Sequence, residues 1–258
     1  MCYFNSINLN KGDTIKISNK EKKIEKDIHS PVTSGFEFTQ WPILKSTNHN
    51  KDFVLEMAHW EFIPSWINNN QQLQKSREKF TTLNAKGENL LESRMYKDAA
   101  KSRRCLVLSS GFYEWRHFKP VGAKKENAYP YFISVPGQHY FFMAGIYQPW
   151  SDKETGETMD SFAIVTTAAN TLMENVHNKK KRMPCILTES LANEWLEDGV
   201  SEDSIKNIAN YQIDSNAMLA HPIRKDFKTA LHPQEAFSYA ELPPLGQSKG
   251  FSNELPFA

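Results

Sequence analysis

The sequence predicts an α+β fold, a single domain built around a mainly antiparallel sheet. Three observations lead there. Short apolar runs of strand character recur along the chain, separated by turns or short helices without regular strand–helix–strand alternation. The chain has 258 residues, 40 % of them apolar, enough for one sizeable core. Its 16 Phe, 9 Tyr and 6 Trp exclude a disordered chain.

The elements follow in order. Residues 1–8 are short and moderately apolar. Residues 10–29 mix six lysines with four acidic residues and read as a solvated excursion, helix or loop. Phe36–Trp41 and Phe53–Glu61 read as strands, the second ending near Pro64, which lacks a backbone donor. Asn68–Gln74 is a polar segment. Glu92–Ser102 places Met95, Tyr96, Ala99 and Ala100 at helical spacing. Cys105–Leu108 is a buried strand, Ser109-Ser110-Gly111 a turn, and Phe112–Trp115 the next strand. Tyr129–Val135 and Tyr140–Tyr147 read as a hairpin, with Pro136-Gly137 suited to a type II turn. Asp160–Thr167 is a further strand and Thr171–Val176 a short helix. Thr188 caps a helix that runs through Leu196 and ends at Gly199. The Pro- and Ser-rich stretch from His232 onward reads as surface, which gives a domain over 1–244 and a tail over 245–258.

Charge and cysteine usage narrow the function classes. With 31 Lys+Arg against 30 Asp+Glu the net charge is +1, so any nucleic-acid contact must come from a local patch. Cys2, Cys105 and Cys185 have neither the number nor the spacing of a disulfide scaffold or metal site. The first twenty residues hold no apolar run like a signal peptide. Residues 127–150 carry no Asp, Glu, Lys or Arg, but Pro136-Gly137-Gln138-His139 interrupts them, against a membrane span. The expectation is a reduced, cytoplasmic protein that is monomeric and needs no metal or cofactor.

Cys2 is the chemically distinctive cysteine. Removal of Met1 would make it the N-terminus, with an α-amine of pKa about 7.7–8.0 and a thiol of about 8.5 on adjacent carbons. Such a pair traps aldehydes: the amine forms a Schiff base and the thiol closes a five-membered thiazolidine. Taken alone, a second-position cysteine reads better as a chance residue in a frayed start. Glu114 lies inside the aromatic strand Gly111-Phe112-Tyr113-Glu114-Trp115 and shares a face with Phe112 by alternation. A semi-buried carboxylate there has a raised pKa and suits acid–base work, though a surface Glu fits the pattern as well. His177 precedes Lys179-Lys180-Lys181-Arg182, whose charges would keep it neutral at pH 7. The same run could face phosphates or simply water. Leu83–Glu88 has turn character, with Asn84 able to bond backbone and Lys86 to bind phosphate.

Together these segments resemble the SRAP family, the SOS-response-associated peptidase-like proteins that shield abasic sites. The resemblance rests on seven motifs in family order. They are Met1-Cys2; Trp60-Glu61-Phe62-Ile63-Pro64-Ser65-Trp66; Asn84-Ala85-Lys86; Arg104-Cys105-Leu106; Gly111 to Trp115; Phe162 to Asn170; and His177 followed by Arg182-Met183-Pro184. The resemblance implies a sheet curled into a barrel-like core beside a basic groove. It implies that Cys2, freed of Met1, bonds the aldehyde of an abasic site in single-stranded DNA. Glu114 and His177 then match the family's catalytic residues. Asn84 matches the asparagine that orients the amino terminus, and Trp66, Lys86, Arg104, Thr166 and Arg182 match substrate or DNA contacts. Tyr3-Phe4 stand where the family has Gly-Arg, Glu61 where it has Gly, and Lys86 where it has Arg. The interval from His177 to Arg182 is longer than in many members. Peptidase (self-processing) and lyase activities could accompany the crosslinking; a cysteine-dependent (auto)peptidase or hydrolase and a non-covalent single-strand DNA-binding module are the alternative functions.

Overall fold

The structure, a computed structural model, describes residues 2–47 and 52–246. Fifteen strands are described: β1 (Phe4–Leu9), β2 (Thr14–Ile17), β3 (Lys20–Lys23), β4 (Ile28–Ser34), β5 (Gln40–Thr47), β6 (Asp52–Trp60), β7 (Asn84–Lys86), β8 (Arg104–Ser109), β9 (Gly111–Phe118), β10 (Asn127–Ser134), β11 (Phe141–Ser151), β12 (Thr158–Ala168), β13 (Arg182–Pro184), β14 (Ile186–Leu187) and β15 (Leu219–Pro222). Five short helices join them: α1 (Asn70–Arg77), α2 (Lys97–Ser102), α3 (Thr171–Val176), α4 (Glu189–Leu196) and α5 (Glu202–Ala209). None is long and apolar enough to cross a membrane.

The central sheet closes on itself. Strand β12 pairs with β6, β6 with β5, β5 with β8, β8 with β11, and β11 returns to β12. Only the β12–β6 junction of this five-stranded barrel is parallel, so the expectation of a curled, mainly antiparallel sheet holds. Closure removes the exposed edges an open sheet would carry. Large apolar side chains fill it: Trp60 packs tilted against Trp41 and stacked on Phe162, at centroid separations of 5.9 and 6.3 Å. Buried indoles find acceptors, Trp41 Nε1 at the Leu108 carbonyl (2.8 Å) and Trp195 Nε1 between those of Cys105 and Gly145 (3.0 and 3.1 Å). A second sheet, ordered β15-β10-β9-β1-β4, packs around Tyr113, Phe132, Ile223 and Phe227. Strand β1 therefore carries the start of the chain onto β9, with Phe4 opposite Tyr113.

Several sequence expectations are corrected. The charged excursion over 10–29 is a β-hairpin, β2 with β3, leading into β4. Lys16 and all four residues of β3 are charged, yet Ile15 and Ile17 of β2, and Ile24 just after β3, are buried, so the hairpin is anchored by one apolar face. Phe36–Trp41 is not one strand. Ser34 caps a 3₁₀ turn over Gly35–Glu37, Phe38 takes φ 53°, and β5 starts only at Gln40. The strands β10 and β11 exist, and Gly137 takes the positive φ of 77° that a type II turn needs, but the two do not pair. Strand β10 joins β9 and β15 while β11 enters the barrel. Both are buried on both faces over most of their length, so side-chain alternation carries no information about partners.

Helix α2 covers only 97–102 of the expected 92–102, since the chain before it is spent on turns from Asn89. Two helices are additional: α1, capped where Asn69 accepts from Gln72, and α5, capped where Ser201 accepts from Ser204. The capped helix after Thr188 forms as expected. The segment from His232 is tied down as far as described: Phe237 N–H donates to Pro222 and the Tyr239 hydroxyl to Ile223. Residues 247–258 of the expected tail, and Met1, lie outside the described residues.

Candidate active site

Cys2 sits just before β1, fully buried where β1, β7 and β9 converge. Two bonds fix the backbone around it. The Asn84 side-chain amide donates to the Cys2 carbonyl (3.0 Å), and the Gly35 N–H donates to the Tyr3 carbonyl (2.8 Å). Asn84 can reach because β7 runs parallel to β12, Asn84 opposite Ile164 and Lys86 opposite Thr166. Gly87 follows at a position where a Cβ would lie 2.1 Å from the Ala209 carbonyl oxygen, so only glycine lets α5 dock here. Lys86 points to the same side of β7 as Asn84 and is exposed.

Glu114 lies one residue beyond the last β1 pairing on β9 and is 3 % exposed. Burial, the largest cause, pushes its carboxyl up to about 7. His177 is 8 % exposed and follows α3, its Nε2 3.6 Å from Glu114 Oε2. Its Nδ1 lies 2.8 Å from the Arg182 carbonyl, which can only accept, so Nδ1 carries the hydrogen and Nε2 presents a lone pair toward Glu114. Burial pushes His177 down to about 4, with the charges of the amino terminus and Lys180 acting the same way. Desolvation rather than the lysine run is the principal cause. Burial, then the negative charge of Glu114, raises the Cys2 thiol above its ordinary range, so it keeps its proton at neutral pH. The result is a protonated thiol beside a half-ionised carboxyl and a neutral imidazole, groups able to pass a proton among themselves.

The structure thus brings together Cys2, Asn84, Glu114 and His177. Arg182 and Thr166 lie beside them in a supporting role. The Arg182 guanidinium donates to the Thr166 carbonyl (2.6 Å) and hydroxyl (3.1 Å) and forms a two-pronged ion pair with Glu88. Glu88 is the partner that sequence reading missed; its place four residues after Asn84 was the available signal. Arg104 is not brought to the site. It is 6 % exposed and donates to the carbonyls of Ala100, Lys101, Trp195 and Glu197, which ties α2 to the end of α4. Trp66 is 51 % exposed on the turn between β6 and α1, with no hydrogen bond or ring contact to the site among the described residues.

Two departures from the family pattern have structural accounts. Glu61 is buried and forked by Arg77 (Nη2 to Oε2, 2.6 Å), with His59 Nε2 3.2 Å away, so it anchors α1. The Tyr3 ring packs at 5.0 Å from Phe36, itself 51 % exposed.

A family model described as SOS response associated peptidase (SRAP) matches residues 1–230. The chain is 28 % identical over 205 residues to the abasic site processing protein HMCES of Xenopus tropicalis, an alignment covering 71 % of this chain and 59 % of the relative. It is 30 % identical over 154 residues to the abasic site processing protein YoqW of Bacillus subtilis, covering 60 % of this chain and 62 % of the relative. It thus spans about three fifths of the length of these curated relatives. A crystal structure of a Bacteroides thetaiotaomicron protein superposes with a TM-score of 0.76 at 28 % identity, covering 92 % of this chain and all of that one. With the family match spanning most of its length, the chain belongs to the SOS response associated peptidase (SRAP) family.

Proposed function

We propose that this protein processes abasic sites in single-stranded DNA by capturing their aldehyde on Cys2 after Met1 is removed. The observation that carries the reading is the convergence on buried Cys2 of a carboxyl poised near 7 and an imidazole 3.6 Å from it. The names of the relatives point to the same substrate.

The chemistry balances without a cofactor. The Cys2 ammonium gives a proton to the Glu114 carboxylate. The freed amine attacks the aldehyde carbon of the opened sugar, and water leaves as the Schiff base forms. The thiol adds to that carbon and closes the thiazolidine, its proton passing to a neighbouring base while the former imine nitrogen takes up a proton to become the ring N–H. Because burial keeps the thiol protonated, ring closure needs such a base, and the Nε2 lone pair of His177 supplies it. Ring opening of the abasic sugar needs an acid as well. Neutral His177 spends its N–H on Arg182, so the carboxylic acid of Glu114 is the donor at neutral pH. Holding both nucleophiles at one carbon replaces two encounters by intramolecular steps.

Asn84 holds the Cys2 backbone in place, and Lys86, two residues along the same face, offers a cation for a phosphate beside the abasic nucleotide. Arg182 commits both terminal nitrogens to Glu88 and Thr166, and Arg104 commits its guanidinium to four carbonyls, so both serve the scaffold. The raised thiol weighs against a thiolate-driven hydrolase. Incubation with an oligonucleotide carrying one abasic site tests the reading. A heat-stable protein–DNA adduct is expected; salt-sensitive binding alone, or turnover of a peptide without an adduct, overturns it.

A further inference from the structure

Strand β9 loses its neighbour midway. On one edge it pairs with β10 from Phe112 to Phe118. On the other, β1 covers only Gly111 to Tyr113, and beyond that no strand pairs with it among the described residues. Glu114 is the first residue past that end. At His117 the open edge is filled by a side chain: the His117 N–H donates to Asn178 Oδ1 (2.9 Å), and Asn178 Nδ2 donates to the His117 carbonyl (2.7 Å). A carboxamide carries one donor and one acceptor side by side, as a peptide group does, so Asn178 completes the ladder with the pairing of an antiparallel strand.

Asn178 directly follows His177. The loop it belongs to is closed at its far end by Lys181 N–H donating to the His177 carbonyl (2.8 Å), with Lys181 at φ 49°. The loop's other outward bonds go elsewhere: the Lys181 carbonyl accepts from the Ala169 N–H beyond β12 (3.0 Å), and two charge pairs rest on flexible lysines, Lys179 with Glu126 (2.6 Å) and Lys181 with Glu174 (3.7 Å). Its hydrogen-bonded tie to the strand that bears Glu114 is Asn178.

Resting on the reading above for its chemical consequence, we infer that Asn178 is a positioning residue: its carboxamide docks the loop on β9 and thereby holds His177 opposite Glu114. It touches neither Cys2 nor substrate. Asn178 is exposed, so removing it should leave the fold intact while freeing the histidine. The groups whose charge acts on His177 are Glu114 and His117 on β9, Lys180 on its own loop, and the amino terminus.

The test uses the full chain with Asn178→Ala and Asn178→Asp. The Asp variant keeps the acceptor for the His117 N–H but turns a second oxygen on the His117 carbonyl. Nitrogen-15 NMR of the His177 ring reads tautomer and titration without any DNA. Wild type should hold the Nδ1–H tautomer and titrate low. Both variants should mix tautomers and titrate upward toward the ordinary histidine value of about 6.5, as water reaches the ring. With abasic single-stranded DNA, the single-turnover rate of adduct formation should fall ~10- to 100-fold at saturating DNA, the penalty of a misplaced group, with unchanged affinity. Wild-type tautomer and titration in Asn178→Ala, or a wild-type rate, overturns the assignment. A wild type that forms no adduct refutes the function instead and leaves the NMR arm to judge the clamp.

Discussion

Replacing Glu114 by Gln separates its catalytic role from its cost to the fold. The carboxyl has an ordinary value of 4.5 and is pushed up to about 7 in the folded protein, chiefly by burial. An acid whose folded pKa is raised binds more protons native than unfolded, so stability falls as pH rises from 4.5 to 7 and stays reduced above. The 2.5-unit difference between those two values, at about 1.36 kcal/mol per unit, is a penalty of about 3 kcal/mol at pH 8 and about 1 at pH 5. Because Glu114 is only 3 % exposed, solvent screening leaves this nearly whole. Glu114→Gln keeps the shape and removes the ionisation. It should be more stable than wild type by about 3 kcal/mol at pH 8, the gain shrinking toward pH 5. The same variant should form adduct ~10²-fold more slowly at pH 8 and lose the rise in rate through pH 7. Urea unfolding at the two pH values, with adduct time courses alongside, measures both. A Gln variant no more stable than wild type at pH 8 refutes the desolvated carboxyl, and a wild-type rate refutes its role in proton transfer.

Three further outcomes follow. Lys86→Ala should weaken single-strand DNA binding and lower the salt slope by about 0.7, while Lys86→Arg should preserve it; equal slopes in a salt titration would make Lys86 a solvated charge. Arg104→Met should cost about 3 kcal/mol, because four carbonyls lose a charged donor, with no change in salt slope; thermal and urea unfolding beside the same titration check this. His177 has its ordinary value of 6.5 pushed down to about 4, so its contribution to stability is present above pH 6.5 and is lost as pH falls toward 4. In His177→Gln the acid-side loss of stability between pH 6.5 and 4 should shrink, which urea unfolding across that range would register.

Much of this molecule was legible in the sequence, and the failures share a physical cause. Strands with a clear apolar signal, such as β8, β9 and β12, fell close to where pattern places them, as did the Thr188-capped helix. The hairpin over 14–23 was hidden because its two buried isoleucines, Ile15 and Ile17, are diluted by the surrounding charges. The partners of β10 and β11 were hidden because strands buried on both faces carry no alternation to read. At the site, Cys2, Glu114 and His177 were found as motifs, and their closeness came from topology: β1 delivers Cys2 to β9, and α3 delivers His177 across it. Arg104 was read as a DNA contact because an arginine gives no local sign of its carbonyl partners, which lie up to 93 residues away. Asn178 escaped notice because a polar residue beside a basic run looks solvated until its partner strand is known.

The central claim is that Cys2 itself holds the aldehyde. Mass spectrometry of the proteolysed adduct, formed on a short abasic oligonucleotide without reductant, tests it most directly. The account predicts one modified peptide beginning at Cys2, lacking Met1, and heavier by the abasic strand less one water. Cys2→Ala, which keeps the free amine but not the thiol, should yield no heat-stable product. Modification on Lys86 or Lys180, or an equal yield of stable adduct from Cys2→Ala, would contradict it.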